Sequence, residues 1–161
     1  MEKWKEDLYN SLGKALEEQQ RKQEDDKQKR LELESKIKEF AISKVEPAFE
    51  ELRIELVEKY RLDIRTDMAD IHAHNITVVH NQHTNKEKKF KYTIRAEIEK
   101  TPEGEISPNG ISIFPMIEFN GGSTKPYHIL GKNFNISTVT KEDILKDFVD
   151  KIKQHLQDFI E

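Results

Sequence analysis

The chain has 161 residues, of which 36% are charged and 35% hydrophobic; it has no cysteine and a formal net charge of −4. That excludes disulfides and thiolate metal sites, and so modest and acidic a balance argues against a general nucleic-acid binder. No apolar run reaches the length a membrane span needs, and the opening MEKWKEDLYN lacks the apolar stretch of a signal peptide. A cytoplasmic location is the expectation.

Composition divides the chain near residue 65. Up to Arg65 there are 15 basic and 17 acidic residues, and large apolar side chains are sparse. This half reads as a helical extension, residues 1–65, attached to a domain at 66–161 that has enough apolar residues to fold by itself. Trp4, Leu8, Leu12 and Leu16 recur at helical spacing, as do Leu33, Ile37, Phe40, Ala41, Val45, Ala48, Phe49, Leu52 and Leu56. Between them EEQQRKQEDDKQKR has no large apolar residue, so it is either a solvated helix or a point where two helices part. Glu17 and Arg21, and Glu18 and Lys22, are placed to pair one turn apart, each pair contributing about 0.3 kcal/mol. Pro47 removes a helix hydrogen bond and disfavours helical geometry at Glu46, which predicts a break or kink near 45–47. The long, thin apolar seam predicts that two copies associate through it, without the regular heptads of a coiled coil.

The second half alternates with period two. The stretch around Ile76, Val78 and His80 is one candidate strand, and KKFKYTIRAEIEK is the clearest. There Phe90, Tyr92, Ile94, Ala96 and Ile98 form one face, while Lys91, Thr93, Arg95, Glu97 and Glu99 form the other. ISIFPMIEF places Ile111, Ile113, Ile117 and Phe119 on one side and Phe114 and Met116 on the other, as in a strand covered on both faces. Its Pro115 suggests an edge or a bulge. A fourth strand is expected over 126–130, with an extension over 133–137. The turn-rich connections fit an antiparallel meander better than parallel crossovers. Thr140, with Asp143 three residues on, opens a last helix whose stripe is Ile144, Phe148, Ile152, Leu156 and Phe159. The expected fold is α+β: an extended N-terminal helical region, a four-stranded antiparallel meander, and a C-terminal amphipathic helix packed on one sheet face.

For chemistry, the histidines stand out. His72, His74, His80 and His83 crowd together after Asp70. On an uninterrupted strand Asp70, His72 and His74 share a face. With His80 or His128 they form a candidate site for zinc or another divalent metal, whose bound water would serve a hydrolase. Against this, the apolar parity switches between Ile71 and Ile76, as it would at a bulge or loop. Lys86, Lys88, Lys89 and Lys91, interleaved with Phe90 and Tyr92, resemble a small nucleic-acid patch. The aromatics, however, lie on the opposite strand face and serve the core. No phosphate loop, G-x-S-x-G elbow or H-E-x-x-H pair occurs. The leading expectation is a non-enzymatic interaction or assembly protein, a homodimer or other homo-oligomer paired through the N-terminal helices, with a sheet face or groove for a protein partner. The alternatives are the metal-dependent hydrolase and a small-ligand or nucleic-acid binding domain.

Overall fold

Helix α1 runs from Lys3 to Phe40, and residues 17–30 lie within it without interruption. A π-helical turn, Ala41–Val45, joins it directly to α2, Glu46–Tyr60. The computed structural model describes the whole chain except residues 1, 71, 82–83, 86, 121–126, 131–133 and 157–161, with the backbone alone at 109, 120 and 127–130. Among the described residues, no helix is long and apolar enough to cross a membrane.

The irregularity expected near 45–47 is this π-turn, and it has a cause in the spacing of the apolar residues. Ile37, Ala41, Val45 and Phe49 step by four. An α-helix turns once every 3.6 residues, so such a run drifts around the axis by about 40° per step. A turn that holds one extra residue absorbs the drift. Ile37, Phe40 and Ala41 before it, and Ala48, Phe49 and Leu52 after it, are therefore all buried. Pro47 sits in the first turn of α2, and it has no N–H to offer the Ser43 carbonyl four residues back. The Ser43 hydroxyl donates to the Glu39 carbonyl at 2.7 Å, across the same turn.

Helix α2 ends at Arg61 in the left-handed region (φ 54°), whose N–H donates to the Val57 carbonyl at 3.0 Å. Five antiparallel strands follow in sequential order: β1 Asp63–Asp70, β2 Ala73–His80, β3 Lys88–Lys100, β4 Ile106–Asn120 and β5 Tyr127–Leu130. Four of them correspond to the expected meander. The fifth, β1, was not expected, and the boundary expected at 65/66 falls inside it. Only Ile64 of its eight residues is buried, and Asp, Arg and Thr fill five of the remaining seven positions, which hides the period-two signal. Pro115 pairs with Ile94 of β3. On its other side it lies between the β4–β5 ladder, which begins at Met116, and the bridge from Ile113 to Phe134. Pro126 and Asn133, the expected ends of the last strand and its extension, lie outside the described residues.

All three helices gather on one face of the sheet. Ile76 and Val78, Phe90 to Ala96 at alternate positions, and Ile113 and Ile117 meet Ile37, Phe40, Phe49 and Leu52 in one core. Helix α3, Lys141–Gln154, starts at the expected capping box: the Asp143 N–H donates to Thr140 Oγ1 at 3.2 Å, and the Thr140 N–H donates to Asp143 Oδ2 at 2.9 Å. These bonds hold the Asp143 carboxyl below the usual carboxylate range. Phe148 of α3 meets Phe90 and Tyr92 edge-on, with ring centroids 5.9 and 5.5 Å apart. Lys44 donates to the Val139 carbonyl and ties the π-turn to the segment just before α3.

Tyr92 lies at the centre of this core, and its hydroxyl donates to Asp147 Oδ2 at 2.5 Å. Burial, then the charge of Asp147 and this bond, push the phenol pKa well above 10.0. A folded-state pKa raised above the unfolded value means stability that is complete below pH 10 and declines as pH rises beyond it. Tyr92→Phe should cost about 2 kcal/mol at neutral pH, the scale of a hydrogen bond to a charged group. It should also flatten the alkaline limb of a stability–pH curve. Urea titrations from pH 7 to 11 check both, and an unchanged alkaline limb would remove the Tyr92 explanation.

Candidate functional site

The most unusual surface is on α1. Its first buried residue is Ile37, with Leu33 and Glu34 half-buried before it, and everything from Lys3 to Glu32 is exposed. Thirty helical residues extend about 45 Å. Trp4 and Leu16 are each about 60% exposed, and Leu8 and Leu12 about half. Phe40 lies about ten helical turns beyond Trp4, and Ile37 and Ala41 about eight turns beyond Leu8 and Leu12. The face that packs on the sheet at one end of the helix therefore continues, uncovered, to the other. Between the two apolar stretches the same face carries Gln19, Gln23 and Asp26. Asp25 and Lys29, like Asp26 and Arg30, have the one-turn spacing that supports a solvated helix.

The proposed metal ligands fall in three places. Strand β1 ends at Asp70, and β2, antiparallel to it, begins at Ala73. The Asp70 carboxylate accepts the His72 backbone N–H at 2.7 Å, and His72 Nδ1 donates to the Ala96 carbonyl at 2.9 Å. Asp70 thus closes the turn, and His72 pins it to β3. His74 is buried on the helix side of β2, opposite Met68 and Ile94. His80 ends the strand, opposite Lys88, about 20 Å from His74 along an extended chain. The shared face expected of Asp70, His72 and His74 is lost because the chain reverses between them. No three His, Cys, Asp or Glu residues among those described are placed to hold a metal ion. His83 lies outside the described residues, as does the side chain of His128.

The sheet face away from the helices carries mixed charge. Asn75 is buried there, donating to Asp67 Oδ2 at 3.1 Å and accepting from Thr93 Oγ1 at 2.6 Å, so the three form a polar row across β1, β2 and β3. The next row is Arg65, Thr77, Lys91 and Glu118. Phe114 and Met116 are half-buried on this face, which none of the three helices covers. Lys89 pairs with Glu87 at 3.4 Å, and the aromatics interleaved with the lysines, Phe90 and Tyr92, are fully buried on the helix side. Phe90 and Tyr92 therefore offer no stacking ring on the basic strand face. Lys86 lies outside the described residues.

A groove lies between the start of α2 and β1. Ile42, Pro47, Phe49 and Met68 give it apolar walls, His74 lies beneath, and Glu46 and Glu50 line it with carboxylates; the cavity is about 550 Å³. Arg53 donates to Glu50 and holds its carboxyl below the usual range, so Glu50 is charged at neutral pH. Composition and periodicity did not single out this groove, because its two walls come from segments assigned to different halves of the chain. The chain matches no protein-family model and no curated protein.

Proposed function

We propose that this protein is a non-enzymatic assembly protein that pairs with a second copy through its N-terminal helix. The observation that carries this reading is the uncovered stripe of Trp4, Leu8, Leu12 and Leu16 on a helix projecting past the last core contact. An isolated helix this polar gains little from propensity and is stabilised by burying its apolar face. The strict four-residue step forms a single ridge, and two such ridges interdigitate at a crossing angle of about −50° rather than along a coiled-coil seam. The pairing needs no cofactor. The reading places the protein in the cytoplasm, a reducing compartment where a chain without cysteine forgoes no disulfide.

Light scattering coupled to size-exclusion chromatography tests it. The full chain should run as a dimer at micromolar concentration. Leu8→Glu with Leu12→Glu should run as a monomer that keeps its folded core, because both positions lie outside it. A monomeric parent chain at these concentrations would overturn the reading.

A further inference from the structure

We propose that the groove beside β1 binds an extended peptide as a sixth strand, one that places an apolar side chain between basic neighbours. This goes beyond pairing of the helices and concerns the other end of the molecule. Strand β1 ends the sheet: it pairs with β2 on one side only. Its other side presents backbone N–H and C=O groups over eight residues, a template for an added strand. In recognition of this kind the main chain supplies affinity, and pockets for alternate side chains supply specificity.

The groove is such a pocket. Thr66 and Met68 of β1 point to the helix side, where they meet the cavity under the π-turn and the start of α2. Alternate side chains of an added strand point the same way, toward Ile42, Pro47, Met68 and the buried His74. Ile42 and Met68 are more than half exposed, so an apolar visitor removes their surface from water. Glu46 and Glu50 edge the groove on α2, and β1 carries Asp63, Asp67 and Asp70. The arginines of these two elements, Arg53 and Arg65, are each bonded to a carboxylate of their own element, Glu50 and Asp63. Asp63 and Asp67 lie on the other face of β1, where the neighbours of the anchor point, so negative charge there and at Glu46 and Glu50 fits lysine or arginine flanking the anchor. A second copy's β1 fits it poorly, since that strand has three aspartates against one arginine.

The test is selection of a display library of random short peptides on the full-length protein. Enriched peptides should alternate, with an apolar residue between Lys or Arg. A synthetic enriched peptide should lose about tenfold in affinity, read by fluorescence anisotropy, against Met68→Glu, an exposed substitution that leaves the core intact. Glu46→Lys with Glu50→Lys should turn selection toward acidic flanks. Hydrogen exchange should slow along β1 when the peptide binds. The proposal is overturned by no enrichment over the Met68→Glu protein, by peptides that protect α1 or the open sheet face instead, or by β1 amides already protected in a concentration-dependent way, the sign of a second copy on the edge. None of these outcomes depends on whether the helices pair.

Discussion

A chain shortened to begin at Thr66 is expected to be unfolded, whereas one shortened to begin at Leu31 should keep the fold. The physical ground is the composition of the core. Ile37, Phe40, Val45, Phe49, Leu52 and Ile64 are buried against the sheet, and all precede Thr66. Removing them uncovers Ile76, Tyr92, Ile94 and Ile117 and forfeits about 10 kcal/mol of apolar burial at roughly 2 kcal/mol per side chain. A domain of this size has about 5–15 kcal/mol to lose. The residues before Leu31 contribute no buried side chain. Circular dichroism and thermal melting of the two shortened chains decide the matter. A cooperative melt from the chain starting at Thr66 would show that the sheet and α3 suffice, and that α2 merely rests on them.

Inserting one alanine after Ser43 should be nearly as damaging, although Ser43 is exposed. The π-turn already holds one residue more than an α-helix accommodates. A second extra residue exceeds what the turn absorbs, and everything after it rotates by about 100° relative to α1. Ala48, Phe49 and Leu52 then leave the face that Ile37 and Phe40 occupy, and the core can keep only one of the two groups. We expect a loss of several kcal/mol or of the cooperative transition altogether. Ser43→Ala, which removes only the hydroxyl bond to the Glu39 carbonyl, should stay within about 0.5 kcal/mol. If the insertion and the alanine variant melt at the same temperature, the π-turn has no part in aligning the helices.

These two predictions sit where reading from sequence and the folded molecule diverge. Spacing alone showed helix on both sides of residues 17–30, left that stretch open, and marked an irregularity at Pro47. It placed the irregularity as a kink, because a proline is a local signal. The phase of a helix against a core is not local: whether Val45 and Phe49 must face the same way as Ile37 depends on a sheet that the chain has not yet formed. Likewise, the parity switch between Ile71 and Ile76 in the sequence marks an irregularity, but only the pairing of β1 with β2 makes it a reversal of the chain.

The amino-acid sequence by itself determined the α+β class, the alternating strands β2, β3 and β4, the Thr140–Asp143 cap of α3, and the polar, projecting first part of α1. Each rests on a periodic or nearest-neighbour pattern that exists before any tertiary contact. Only the tertiary structure decided that Asp63–Asp70 is a strand, that α2 belongs to the core, that Asp70 and His72 stand apart from His74 and from His80, and that a groove opens beside β1. An edge strand with one buried residue carries little hydrophobic contrast. Side chains distant in the chain meet only when the sheet orders its strands, and a cavity belongs to the space between elements rather than to any segment.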